Sequence, residues 1–199
     1  MLNEWLTKED EYIDALLDFE DIGKVLLCGH CNRDNKPLFR CAACIGTSCY
    51  CKDCTVLMHR ENPFHRIALW DQASGCFRDT SLAAIGLVVI LGHVAPYIVC
   101  PNPGSLLGLT AVHTNGIHNI SIQSCECPHA KSLDLQLFDQ RLFPASVHSP
   151  QTAFSFTVLE QFRYHHLEGK GSAYTFMNAL YRLTDDTGCM EVEVCIFSS

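Results

Sequence analysis

Cysteine and histidine residues at the spacing of metal ligands are concentrated in the first third of this 199-residue sequence. Three Cys-x-x-Cys pairs fall within 27 residues, and two histidines follow them. The eight candidate ligands are Cys28, Cys31, Cys41, Cys44, Cys51, Cys54, His59 and His65. Zinc accepts four sulfur or nitrogen ligands in a tetrahedron, and a Cys-x-x-Cys turn offers two of them to one ion. One such pair alone could be a redox motif or two buried thiols, but the repeated pattern predicts zinc binding.

Four ligand pairs suffice for two zinc ions, and the order in which they combine decides how the segment folds. In the alternating arrangement, one ion binds the first and third pairs, Cys28, Cys31, Cys51 and Cys54. The other ion then binds Cys41, Cys44, His59 and His65. We favour this cross-brace because metal binding would supply folding free energy to about forty residues that lack an adequate core. Sequential pairing is also geometrically possible. Cys49 lies inside the run but outside the pattern, and we interpret it as a spare thiol.

A second group of potential ligands is spread more widely along the chain. It consists of His93, Cys100 and a Cys-x-Cys pair formed by Cys125 and Cys127. Cys-x-Cys is a looser chelator than Cys-x-x-Cys, and its partners lie far away in sequence. The group could hold a third zinc ion, or it could consist of buried thiols at strand ends with an exposed histidine. On sequence alone we favour the second interpretation.

Composition and charge exclude several classes of protein. Hydrophobic residues make up 48% and charged residues 18%, which suits a folded chain rather than a disordered tail. The longest apolar stretch, residues 82–92, is about half of the ~20 residues that cross a bilayer. The acidic N-terminus lacks the basic region of a signal peptide, so we expect an intracellular protein in a reducing compartment. The net charge of −8 argues against wholesale coating of nucleic acid.

The sequence offers little support for catalysis. Cysteines in closed four-ligand zinc sites leave no open position for water. We cannot single out an isolated cysteine with a positioned histidine. Gly-rich phosphate loops, Gly-x-Ser-x-Gly and His-Glu-x-x-His are all absent from the sequence. We therefore expect a protein that is not an enzyme, with no catalytic residues, no organic cofactor and no small-molecule substrate.

Charge and residue periodicity divide the chain into four parts. Residues 1–27 are predicted to form one amphipathic helix, which Gly23 is expected to end. This segment contains two lysines and eight acidic residues. Residues 28–70 form the zinc module, with six bases against three acids. Residues 71–188 form an acidic remainder of strands and helices, and residues 189–199 are an atypical tail.

The fold class predicted from these parts is α+β. Strands are expected at residues 87–91, 110–113 and 117–124, where apolar and β-branched residues recur. A helix is expected from Ser172 to Thr184, because a serine cap precedes apolar residues at helical spacing. Residues 152–166 mix strand and helix periodicity.

Several short motifs resemble those of a known family. They include Glu11-Tyr12-Ile13, the cysteine run, the segment from His59 to Ile67 followed by Trp70, and Cys125-Glu126-Cys127. From about Trp5 to Gly188 the chain resembles the CxC cysteine-cluster domain (second type) associated with KDZ transposases in fungi. The cysteine run alone also resembles B-box and ZZ zinc fingers.

The resemblance implies a nuclear zinc-binding accessory module that precedes a transposase catalytic domain of the RNase H-like kind. The eight ligands named above carry over, with Cys125 and Cys127 as the later Cys-x-Cys. This sequence ends at Ser199, where the catalytic domain would follow, and residues 191–199 look unlike the family. We therefore expect no strand-cutting activity from it.

Such a module would recognise either element DNA or a partner protein, not a membrane. The candidate DNA contacts are Arg33, Lys36, Arg40, Lys52, Arg60 and Arg66. Because the chain as a whole is acidic and DNA binding needs several phosphate contacts, we favour a protein partner. Two alternatives remain open. One is a B-box-like scaffold for protein–protein interaction, and the other is a decayed element fragment without a selected function.

Overall fold

The computed structural model describes residues 5–22, 27–34, 37–93 and 99–185. The chain divides into two compact units, Met1–Ile85 and Gly86–Ser199. Helices and strands occur in both units, so the fold is α+β as the sequence predicts. No helix among the described residues is both long and apolar enough to cross a bilayer.

A small antiparallel sheet organises the first unit. Its strands are β1 (Leu38–Cys41), β2 (Tyr50–Cys51), β3 (Ile67–Asp71) and β4 (Cys76–Thr80), in the order β2-β1-β3-β4. Helix α2 (Lys52–Met58) follows β2 directly. The unit extends beyond residue 70, the predicted end of the zinc module, because β4 pairs with β3 along its whole length.

The buried core beneath this sheet is unusually rich in sulfur. One cluster of buried residues consists of Cys28, Leu38, Cys49, Cys51 and Cys54, so four of its five members are cysteines. Tyr50 and Phe77 pack against it from the edge. Aliphatic packing at this point is therefore slight, and stability here must come largely from what the cysteines bind.

Helix α1 (Glu9–Glu20) is shorter than the helix predicted over residues 1–27. Three acids in its first turn suit the positive end of the helix dipole. None of its residues is buried, although the guanidinium of Arg40 donates to the Phe19 carbonyl and pairs with Glu20. The predicted stop at Gly23 and the tail at residues 189–199 lie outside the described residues.

The second unit contains a mixed five-stranded sheet. Its strands are β5 (Val88–Ile90), β6 (Pro103–His113), β7 (Gly116–Cys125), β8 (Leu142–Pro144) and β9 (Thr152–Ser155). Their order is β5-β7-β6-β9-β8. β6 and β7 form a long antiparallel hairpin, while β5 runs parallel to β7 and β9 runs parallel to β6. The three predicted strands fall at β5, at the end of β6 and within β7.

Three helices complete this unit: α3 (Leu133–Asp139), α4 (Phe156–Gly169) and α5 (Ala173–Thr184). The hydroxyls of Ser155 and Ser172 cap α4 and α5 by accepting from a backbone N–H three residues ahead. Phe176 and Leu180 of α5 are buried against Val112 and Ile117 of the hairpin. The mixed periodicity at residues 152–166 arises because strand β9 ends at Ser155 and helix α4 begins at the next residue, Phe156.

Candidate metal centres

Centre 1 is formed by four cysteine thiols of the first unit. The sulfur atoms of Cys28, Cys31, Cys51 and Cys54 all lie within 4.8 Å of one another. The Sγ atoms of Cys31 and Cys51 are 3.9 Å apart. With Zn–S bonds of ~2.3 Å, two sulfurs of a regular tetrahedron are about 3.8 Å apart. The spacing of the four thiols is therefore compatible with a shared zinc ion.

A tight turn and the start of α2 position these thiols. In the turn, the N–H of Asn32 donates to the Cys28 carbonyl at 2.9 Å, and Asn32 adopts a positive φ of 53°. Cys51 immediately precedes α2 and Cys54 lies in its first turn. The backbone N–H of Cys51 donates to Cys28 Sγ at 3.3 Å, which joins the two pairs.

The pKa values of two thiols of centre 1 are shifted in opposite directions by their surroundings. Burial raises the pKa of Cys28, but backbone N–H groups of Cys31, Cys51 and His30 outweigh it and lower the pKa to about 6. Burial and the neighbouring cysteines raise the pKa of Cys54 to about 12. Four thiolates this close repel one another unless a cation lies between them. A divalent metal would remove that conflict and deprotonate all four.

Centre 2 brings two cysteines and two histidines together. The donor atoms of Cys41, Cys44, His59 and His65 lie within 4.8 Å of one another. Nδ1 of His65 is 3.5 Å from Cys41 Sγ and 3.4 Å from Cys44 Sγ. Nε2 of His59 is 3.5 Å from Cys44 Sγ. Tetrahedral zinc with Zn–S of ~2.3 Å and Zn–N of ~2.0 Å places sulfur and nitrogen about 3.5 Å apart.

The two histidines of centre 2 lie in different environments. His59 follows the last residue of α2 and is only 1% exposed. Contact with Cys41 is the main cause that raises the pKa of His59. Burial lowers the pKa of His65, and the neighbouring His59 lowers it further. Zinc needs both rings neutral, and the environment of His65 already favours that form.

Centres 1 and 2 alternate along the chain, which is the cross-brace arrangement and not the sequential one. Helix α2 lies between them, with Cys54 near its start and His59 at its end. Cys49 belongs to neither set. It is buried in the core cluster, and burial raises the pKa of its thiol.

Centre 3 lies in the second unit. It is formed by His93, Cys100, Cys125 and Cys127, whose donor atoms again lie within 4.8 Å of one another. The Sγ atoms of Cys100 and Cys127 are 3.8 Å apart. Nε2 of His93 is buried and has no hydrogen-bond partner within the described part of the chain. A histidine that has a buried, unsatisfied ring nitrogen and lies beside three thiols fits a metal ligand better than the unrelated buried thiols that the sequence favoured.

Two of the basic residues proposed as DNA contacts, Arg40 and Arg66, already interact with acidic residues of the same chain. Arg40 pairs with Glu20 and places its guanidinium 4.1 Å from the centre of the Phe77 ring. Burial lowers the pKa of Arg66, which is half-buried and lies near Asp79. Arg33, Lys52 and Arg60 are exposed, and Lys36 lies outside the described residues.

Comparison with known proteins finds a family match that begins after the ligands of centres 1 and 2. Residues 82–188 match the family model described as CxC2 like cysteine cluster associated with KDZ transposases. The match covers just over half of the chain and contains all four ligands of centre 3. No curated protein and no solved structure matches the chain significantly. The chain therefore belongs to the CxC2-like cysteine-cluster family associated with KDZ transposases.

Proposed function

We propose that this chain is a non-catalytic zinc-binding module of a KDZ-type transposable element, and that it serves recognition rather than strand cutting. The observation that carries the proposal is the presence, among the residues that the structure describes, of three separate sets of four donor atoms, each within 4.8 Å. Four protein ligands complete the tetrahedral coordination of zinc, which is typical of structural sites, whereas catalytic sites keep one position for water. The zinc ions would thus hold a binding surface in shape.

The preferred partner is a protein rather than element DNA. The formal charge is −8, and Arg40 and Arg66 already lie against acids of the module. Tight DNA binding at physiological salt needs several free Lys or Arg contacts to phosphates. A nuclear location follows from the same proposal, since the family is associated with transposases, which act on chromosomal DNA.

Elemental analysis of protein purified without chelators tests this proposal. We expect three zinc ions per chain, with protein concentration determined independently by amino-acid analysis. Two ions would restrict metal binding to two centres, and native mass spectrometry of Cys127→Ser and Cys51→Ser would show which centres are occupied. Protein that is folded and free of zinc would overturn the proposal.

A further inference from the structure

A buried glutamine lies directly behind centre 3. Gln136 belongs to α3, and only 2% of its surface is exposed. Its Oε1 accepts from the backbone N–H of Cys125 at 2.8 Å, and its Nε2 donates to the Cys125 carbonyl at 2.9 Å. The same Nε2 donates to the Lys131 carbonyl at 2.7 Å. Both N–H groups of the Gln136 amide, and one lone pair of its oxygen, are therefore hydrogen-bonded to backbone groups.

Space around this contact is fully occupied. Gly92, next to the ligand His93, has φ of +80°, a conformation that favours glycine. A Cβ atom at Gly92 would lie 2.4 Å from Cβ of Cys125 and 2.9 Å from Oε1 of Gln136. The backbone that carries His93, the backbone of Cys125 and the amide of Gln136 are thus packed against one another without a gap.

The Gln136 side chain replaces a neighbouring strand at the point where β7 ends. Cys125 is the last residue of β7, and its N–H and C=O are held by one side chain as they would be by a paired backbone. The N–H of Cys127 then donates to Cys125 Sγ at 3.4 Å. Fixing the Cys125 peptide in this way fixes the direction in which both sulfurs of the Cys-x-Cys pair point.

We infer that Gln136 is the positioning residue of centre 3. It holds the loosely chelating Cys-x-Cys pair in the orientation that meets Cys100 and His93, so binding of the third ion depends on the hydrogen bonds of the Gln136 amide. This inference rests on the proposed zinc occupancy of centre 3. Residues that orient metal ligands in this manner typically change metal affinity about 10- to 100-fold when they are replaced.

The test uses the full chain with Co²⁺ in place of zinc, because cobalt–thiolate absorption reports ligand geometry. Cys127→Ser identifies the part of the spectrum that belongs to centre 3. In Gln136→Glu, the donors to Cys125 and Lys131 are lost while the size of the side chain is kept. We expect the centre 3 bands to shift and its metal affinity, measured by chelator competition, to fall by about 10-fold or more. Gln136→Met preserves the packing volume and gives the same measurement if Gln136→Glu does not fold.

Leu137→Ala is the matched structural control, because Leu137 is fully buried in the same helix and is not among the centre 3 ligands. It should lower the unfolding midpoint and leave the centre 3 spectrum unchanged. A wild-type spectrum and affinity in both Gln136 variants would overturn the positioning role alone. An equal loss of affinity in Leu137→Ala would also overturn it. A wild-type chain that binds only at centres 1 and 2 would overturn both this inference and the third zinc ion of the proposed function.

Discussion

The imidazole of His59 donates its Nδ1 hydrogen to the carbonyl oxygen of Thr55, 2.7 Å away, and so directs its Nε2 toward Cys44. This hydrogen bond fixes the neutral tautomer whose Nε2 can bind a metal. Because Thr55 lies one turn earlier in α2, the helix itself orients the ligand. The hydroxyl of Thr55 in turn donates to the carbonyl of Cys51, a ligand of centre 1, at 3.0 Å.

Replacing His59 should remove one zinc ion selectively. His59→Ala takes away a ligand of centre 2, and we expect native mass spectrometry to show one ion fewer per chain. His30→Ala is the matched control, because Nδ1 of His30 is 3.6 Å from Cys54 Sγ but His30 is not part of any ligand set. His30→Ala should retain the full metal content. Equal metal loss in the two variants would contradict the assignment of His59.

Cys51→Ser should destabilise the first unit far more than Cys49→Ser. Both thiols are buried, but only Cys51 belongs to centre 1. Loss of a zinc ligand should cost more than ~3 kcal/mol because metal binding there supplies folding free energy. A buried hydroxyl at position 49 should cost about 1–3 kcal/mol. Thermal unfolding in zinc-saturated buffer compares them, and identical midpoints would be incompatible with our ligand set.

The metal content should depend on pH in a defined direction. Backbone N–H groups lower the pKa of Cys28 from an ordinary 9.0 to about 6. A thiol with a depressed pKa in the folded state contributes stability that is complete above its unfolded pKa of about 9 and disappears as pH falls through about 6. Because protons compete with zinc for the thiolates, we expect zinc to be retained at pH 7 and lost on acidification, measured with a chromogenic chelator. Full retention at pH 4 would contradict this expectation.

DNA binding should be weak and only shallowly dependent on salt. The affinity of a protein for DNA falls with salt in proportion to the number of phosphates that it neutralises. Arg33, Lys52 and Arg60 are the exposed bases among the described candidates. A fluorescence anisotropy titration between 50 and 200 mM salt, an interval chosen because many-contact proteins lose about 10³- to 10⁵-fold there, measures the slope. A steep loss of tight binding would favour DNA over a protein partner.

Two leucines of the first unit should respond differently to truncation. Leu38 is 2% exposed and belongs to the core cluster, so Leu38→Ala should cost about 2–5 kcal/mol. Leu16 of α1 is 63% exposed, and Leu16→Ala should change the free energy of unfolding by less than about 0.5 kcal/mol. Chemical denaturation of both variants with zinc present checks this. A large loss in Leu16→Ala would show that α1 is covered in solution.

Short-range sequence patterns predicted the features that depend only on residues nearby in the sequence. Spacing alone predicted the residues that the structure groups in centres 1 and 2, since a Cys-x-x-Cys turn needs nothing from elsewhere in the chain. The serine cap and apolar spacing likewise predicted α5 within one residue of its observed start at Ala173. These features depend on neighbours three or four residues away, which a sequence displays directly.

Features that depend on distant pairing were missed. Strands β3 and β4 have mixed burial and no clean alternation, and they form because each pairs with the other. On sequence alone, a third metal site is the slightly less favoured interpretation, because His93 and Cys100 lie far from Cys127 in sequence. Parallel pairing of β5 with β7, together with the β6–β7 hairpin, places their ends side by side. No short-range sequence pattern around these residues predicts that pairing.

The sulfur-rich core beneath the β2-β1-β3-β4 sheet has a consequence for the life of the protein in a cell. The first unit, in which one buried cluster contains one leucine and four cysteines, would be only weakly stabilised before it binds an ion. Newly synthesised chains would compete with other zinc-binding proteins for a limited supply of zinc, and chains that remain without zinc would be degraded. The amount of working protein would then follow zinc supply as closely as it follows gene expression.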